Sequence, residues 1–184
     1  MKNGFLIVAR TVIVCLLIVF IKTAALGQPQ ADKWEKFSSP EGKFNILTPS
    51  KPKLDVKDVE SAQGTLKLYF YGASGTAGFF AASYGDYTLE AKTADEKATV
   101  LDGVRNGINK GINGKLVSER KISLYGYPGR EIVIDAKLQD TDVIFKWRIF
   151  LMGKRLYQIG VGTDVRNSGS PDVDKFLLSF DLDK

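Results

Sequence analysis

Residues 121–151, KISLYGYPGREIVIDAKLQDTDVIFKWRIFL, decide how this chain is read: strand, tight turn, strand, turn, strand. In residues 130–138, Ile132, Ile134, Ala136 and Leu138 share one face of an extended segment, and Glu131, Val133, Asp135 and Lys137 share the other. Gln139-Asp140-Thr141-Asp142 is short enough for a hairpin connection. Pairing Leu138 with Val143 sets Ala136 against Phe145, Ile134 against Trp147 and Ile132 against Ile149. It also places Asp135 opposite Lys146 and Glu131 diagonal to Arg148. A slip by one residue would face apolar side chains with charged ones along the ladder, so this register is expected. Tyr127-Pro128-Gly129 predicts a type II turn, with Pro at the first central position and Gly taking positive φ. Tyr157, Ile159 and Val161 alternate along residues 155–163. A three-residue bulged loop around Gly153-Lys154 would bring them under Ile149, Trp147 and Phe145.

Upstream, Trp34 and Phe37 precede the turn cluster Ser38-Ser39-Pro40-Glu41-Gly42, and residues 43–47 read as the first strand, ended by Pro49 and Pro52. Residues 54–59 read as a short edge strand. Residues 65–71 alternate cleanly, with Leu66, Leu68 and Phe70 opposite Lys67, Tyr69 and Tyr71; a Gly-rich turn over 72–78 and a strand over 79–84 complete a hairpin. Thr93-Ala94-Asp95-Glu96 has the form of a capping box. Ala98, Leu101, Val104, Ile108 and Ile112 then follow at helical spacing, with Gly111 and Gly114 as terminators. The opposite stripe, Lys97, Asp102, Arg105 and Asn109, reads as a solvated face. Ser170-Pro171 reads as N-cap and first residue of a last helix, with Asp172 and Asp174 at its positive end and Val173, Phe176, Leu177 and Phe180 as its apolar stripe. No β-α-β repeat is visible, so the expected class is α+β, an antiparallel sheet flanked by helices.

Of the 184 residues, 44% are hydrophobic and 26% charged, which suits one globular domain with a real core. Lys2 and Arg10, the apolar run over 11–21 and Ala25-Leu26-Gly27 have the form of a signal peptide over residues 1–27. The expected division is a signal peptide 1–27, a flexible lead-in 28–33 and a single domain 34–184. The folded part is then extracytoplasmic, periplasmic or secreted, and touches a membrane only through an uncleaved N-terminal segment, with Arg10 snorkelling. The single cysteine, Cys15, lies in that run, so no disulfide staples the domain. Taking Lys2, Arg10 and Lys22 from the 26 bases leaves 23 against 21 acids, a balance that argues against a nucleic-acid partner.

The chain has no histidine, and its cysteine falls outside the domain. Nucleophilic triads, thiolate chemistry and the usual zinc sites are thereby excluded. No phosphate-binding glycine motif opens a helix. Asp135 and Glu131 lie two pleats apart on one face and could form a hydrolytic carboxylate pair. Their expected basic neighbours favour an ion ladder instead. Asp140-Thr141-Asp142 and Asp181-Leu182-Asp183 lack the form of a calcium loop and read as solvated turns. No cofactor or metal is expected. Seven tyrosines, Tyr69, Tyr71, Tyr84, Tyr87, Tyr125, Tyr127 and Tyr157, cluster around strands and turns. Of these, Tyr125, Tyr127 and Tyr87, with Arg130, are the candidates for a partner surface.

Residues 34–44 (WEKFSSPEGKF), Pro49-Ser50-Lys51-Pro52, Tyr84-Gly85-Asp86-Tyr87, Gly126-Tyr127-Pro128-Gly129-Arg130-Glu131, Arg155-Leu156-Tyr157-Gln158 and Phe176-Leu177-Leu178-Ser179-Phe180 together resemble a group of exported bacterial proteins of unknown function. Their arrangement is similar to the PsbP-like superfamily, the fold of the photosystem II extrinsic subunit. The resemblance implies an α/β/α sandwich and binding, assembly or chaperone roles, and it carries over no catalytic residue. The expected function is non-enzymatic: an exported domain that binds a protein or envelope component. A carboxylate-dependent hydrolase and a small-ligand or lipid carrier are the alternatives.

Overall fold

The computed structural model describes residues 32–61 and 64–183. The signal-peptide reading and residues 28–31 of the lead-in fall outside them. Asp32 and Lys33, the end of the lead-in, are tied down. The Asp32 carboxylate accepts from the Thr76 backbone N–H and hydroxyl at 2.9 Å, and the Lys33 N–H donates to the Pro49 carbonyl at 2.9 Å.

Strands β3 (Lys53–Ser61), β4 (Gly64–Gly75), β5 (Gly78–Asp86), β6 (Lys115–Leu124), β7 (Tyr127–Leu138), β8 (Thr141–Met152) and β9 (Arg155–Asp164) form one antiparallel sheet in the order β3-β4-β5-β9-β8-β7-β6. A second sheet is small: β1 (Glu35–Ser39), β2 (Phe44–Thr48) and the two-residue β10 (Asp181–Leu182), in the order β1-β2-β10. Strand β1 was not expected, because Ser38 and Ser39 read as turn residues.

Each face of the large sheet carries its own core. One core joins Leu66, Leu68, Phe70, Ile132, Ile134, Phe145, Trp147, Ile149 and Leu151 to Val100 and Leu101 of helix α1 (Ala94–Gly111). The other joins Phe80, Ala82, Tyr84, Phe150, Tyr157, Ile159 and Val161 to Phe44 and Ile46 of β2 and to Val173, Phe176 and Leu177 of helix α2 (Pro171–Leu178). The fold is therefore a sheet-dominated α+β fold. The expected helical flanks are reduced to one helix on the first face, and to a short helix beside the small sheet on the second. Phe44 is fully buried and touches the rings of Phe37, Tyr71, Tyr84, Tyr157 and Phe180. Burying such a ring is worth about 2–3 kcal/mol.

Local signals explain both helices. The Thr93 hydroxyl accepts from the Glu96 N–H while the Glu96 carboxylate accepts from the Thr93 and Lys92 N–H groups. Ser170 caps α2 by accepting from the Asp172 N–H, with Pro171 at the first turn.

The turns correct four expectations. Tyr125-Gly126, both at positive φ (52° and 81°), make the β6–β7 turn, so Tyr127-Pro128-Gly129 is strand and not a type II turn. A two-residue turn makes Leu124↔Tyr127 the hydrogen-bonded closing pair. Ser123↔Pro128 is then a non-hydrogen-bonded pair, and the β7–β8 ladder begins only at Gly129↔Phe150, so no bond is asked of the proline nitrogen. The β7–β8 hairpin turns on Gln139-Asp140, with Leu138 opposite Thr141. This shifts the expected register by two: Ala136 meets Val143, Ile134 meets Phe145, Ile132 meets Trp147, and Asp135 lies opposite Ile144 instead of Lys146. The β8–β9 connection is a two-residue turn, Gly153-Lys154, with Met152 opposite Arg155. Tyr157, Ile159 and Val161 consequently share a face with Phe150, not with Phe145, Trp147 and Ile149. The Gly-rich stretch is also mostly strand, the β4–β5 turn being Thr76-Ala77, with Gly75 opposite Gly78.

Candidate functional site at the tyrosine tip

The β6–β7 turn, the β8–β9 turn, the β1–β2 turn and the C-terminal β10 come together at one end of the large sheet. Tyr125 is 61% exposed and Tyr127 43%. The Tyr125 hydroxyl donates to Asp181 Oδ1 at 2.5 Å, and that oxygen also accepts the Leu182 N–H. The hydrogen bond to Asp181 raises the Tyr125 phenol above its ordinary value. A tyrosine at positive φ is an unfavoured backbone state, held here by a glycine on one side and a ring anchored to another strand on the other.

Beside the tip lies a groove of about 360 Å³ lined by Lys43, Tyr127, Met152, Arg155, Tyr157, Leu182 and Asp183. Its walls are rigid. Arg155 donates to both carboxylate oxygens of Asp86 at 2.6 Å and to the Glu41 carbonyl at 2.9 Å. Its guanidinium also sits 4.8 Å from the Tyr84 ring centre. The arginine hydrogen bonds hold the Asp86 carboxyl below its usual range, outweighing the opposing effect of burial. Burial, with the neighbouring phenols of Tyr71 and Tyr69, pushes Tyr84 up to about 12. The buried Tyr157 hydroxyl donates to the Gly42 carbonyl at 2.8 Å, which locks the β1–β2 turn onto β9. On the far wall Asp183 accepts from the Asn45 amide at 2.9 Å, and its N–H donates to the Lys43 carbonyl at 3.0 Å.

Of the four candidate surface residues, the structure keeps two at the tip. Tyr87 is only 8% exposed and belongs to the α1-side core, and burial raises its phenol. Arg130 is 7% exposed. Its Nε lies 3.0 Å from Glu119 and its Nη2 3.5 Å from Asp102, while Arg105 reaches the same two carboxylates at 2.6 and 3.3 Å. Arg130 thus belongs to a balanced cluster of two arginines and two acids between α1, β6 and β7. The stripe expected to be solvated supplies Asp102 and Arg105 to this cluster.

Of the candidate carboxylate pair, Glu131 is taken up by two arginines. Glu131 sits between Arg120 at 2.6 Å and Arg148 at 2.8 Å. Burial acts to raise its carboxyl, but the hydrogen bonds from the two arginines prevail and hold it below its ordinary value. A glutamate kept ionised in this way is a poor general acid. Among the described residues no three His, Cys, Asp or Glu side chains are grouped to hold a metal ion, and no helix is long and apolar enough to cross a membrane.

The sequence does not mark Lys43 or Arg155 as site residues, and it reads Asp181 only as part of a solvated turn. Asp86 and Arg155 are cross-strand partners 69 positions apart, and only the β5–β9 pairing reveals them.

No known family profile matches the chain, and no curated protein matches it. Among solved structures, the solution structure of cyanobacterial PsbP (CyanoP) from Synechocystis sp. PCC 6803 aligns over 86% of this chain and 97% of its own, with 11% identity and a TM-score of 0.52. A protein of unknown function from Pseudomonas aeruginosa, PA94, aligns over 73% of this chain and 85% of its own, at 9% identity and a TM-score of 0.41, too low to add to the fold assignment. The fold is PsbP-like.

Proposed function

We propose that this chain is an exported, non-enzymatic binding or assembly-accessory domain that engages a protein or envelope component through the Tyr125–Tyr127 tip and the groove beside it. The observation that carries this reading is the exposed Tyr125 ring, kept at positive φ and anchored to Asp181, next to an exposed Tyr127. Exposed aromatic rings on a rigid turn supply contact area at low entropic cost, a common property of interface anchors. Lys43 and Asp183 offer charges of both signs around the groove, which suits a polar rim. The PsbP-like fold supports an extracytoplasmic setting and an accessory role, and the ionised state of Glu131 supports a role without acid–base catalysis.

The test compares full-length wild-type protein with Tyr125→Gly and Tyr127→Ala as baits in the envelope fraction of the native host. Glycine accepts the φ of position 125, so the first variant removes the ring without straining the turn. Proteins retained by the wild type and lost from both variants, with unchanged circular dichroism, are the expected result. Equal retention by all three baits would remove the tip from the proposal.

A further inference from the structure

The large sheet ends in β3 on one side and β6 on the other. Open edges expose unpaired backbone groups, and proteins blunt them with bulges, charges and prolines. Strand β6 carries a bulge between Leu116 and Ser118, and its Glu119 is taken up by Arg105 and Arg130. Strand β3 runs nine residues opposite β4 without a bulge.

The direction of its backbone groups follows from the pairing. Ser61 and Gly64 close the β3–β4 ladder, so Ser61, Val59, Lys57, Asp55 and Lys53 occupy the pairs hydrogen-bonded to β4. The β4–β5 ladder, closed by Gly75↔Gly78, gives the same phase independently: odd-numbered β4 residues bond to β5, which leaves even-numbered ones for β3. Leu54, Val56, Asp58 and Glu60 therefore aim their N–H and C=O groups outward. Leu54 is 54% exposed and Val56 41%, both on the face that carries Tyr69 and Tyr71.

We infer that β3 pairs antiparallel with β3 of a second copy of this chain, about a two-fold axis through Val56. Only even-numbered residues can hydrogen-bond across this edge, which leaves few registers. Centred on Asp55, the pairing sets Asp55 on itself and Lys53 on Lys57; centred on Lys57 or Asp58, it sets a charge on its own copy. Centred on Val56, it places Asp55 opposite Lys57 of the second copy, twice, in the closer non-hydrogen-bonded pairs. Val56 then meets Val56, Leu54 lies diagonal to it, and the three outward pairs exchange on the order of six backbone hydrogen bonds. Pro52, at an outward position with no N–H to give, ends the ladder. Within one copy the Lys57 ammonium already lies 3.2 Å from Asp55, so both charges are on the face the pairing needs.

Sedimentation equilibrium of the full-length chain over a range of concentrations tests this. The wild type is expected to show a reversible monomer–dimer equilibrium. Lys57→Asp, which sets two carboxylates against two others, is expected to weaken it about tenfold or more. The double swap Asp55→Lys/Lys57→Asp is expected to restore it, and Val117→Asp on the β6 edge to leave it unchanged. In a Cys15→Ser background, Val56→Cys is expected to give an intermolecular disulfide on mild oxidation and Val117→Cys none. A wild type that stays monomeric at every concentration, a dimer indifferent to Lys57→Asp, or a folded double swap that does not recover would each overturn the inference.

Discussion

Glu131 shows how one side chain is fixed by its neighbours on the two flanking strands. It faces Arg120 on β6 and Arg148 on β8, and Arg148 reaches on to the Leu177 carbonyl of α2 at 3.4 Å. Its folded carboxyl lies below the ordinary value of 4.5, so the charged form is favoured by folding. A depressed acid contributes stability that is present above its unfolded value and is lost as the pH falls through the folded one. Urea midpoints of the wild type are therefore expected to decline as the pH drops below about 4.5, the ordinary glutamate range. Glu131→Gln is expected to cost about 1–2 kcal/mol at neutral pH and to flatten that decline. Parallel pH curves for the two proteins would show that the arginines do not select the charged form. This pair was partly legible: the sequence placed Glu131 diagonal to Arg148, and the structure places it directly opposite. Arg130 was not legible as a core residue. Its partners come from α1 and β6, elements whose docking no local pattern announces.

At the scale of elements, the hairpin β7–β8 separates what alternation can decide from what it cannot. Alternation placed Ile132 and Ile134 on one face with Phe145 and Trp147, and the structure agrees. Sliding one strand by two residues preserves every face, so the hydrophobic pattern is silent between the expected register and the observed one. The turn decides it, through Gln139 at φ 55°. A glutamine in that state carries a steric cost that glycine lacks. Gln139→Gly is expected to raise thermal stability by about 0.5–1 kcal/mol, read by calorimetry, and a loss of stability would mean that the Gln139 side chain outweighs its backbone. For β8–β9 the difficulty was of another kind. Both faces of β9 are buried, so alternation loses its contrast and Tyr157-Ile159-Val161 could be set on either side. Trp147 and Phe145 resolve it, their rings filling the spaces above Gly160 and Gly162, where a Cβ would collide with them. The helices were easier to read, because the Thr93–Glu96 box and Ser170-Pro171 are contiguous in sequence.

Across the whole molecule, a sheet with a separate core on each face should not open uniformly. Strands β5, β9 and β8 lie inside the sheet and contribute to both cores, while β3 and β6 are edges. Hydrogen exchange is expected to be slowest for the β5, β8 and β9 amides and fastest for the outward amides of the β6 edge, and uniform protection would contradict this layering. The class of this architecture was legible from strand patterns and the missing β-α-β repeat. The second sheet was not, since β10 is two residues long and joins β2 from the far end of the chain. One consequence follows from where the chain is clamped. Asp32 is fastened at the Thr76 turn, whereas Tyr125 projects from the opposite end of the strands, about 33 Å away along the ten-residue β9. Tension between whatever precedes Asp32 and whatever grips the tip would run parallel to the strands. The ladder bonds would then carry the load together in shear, where a hairpin pulled from its open end gives way one rung at a time.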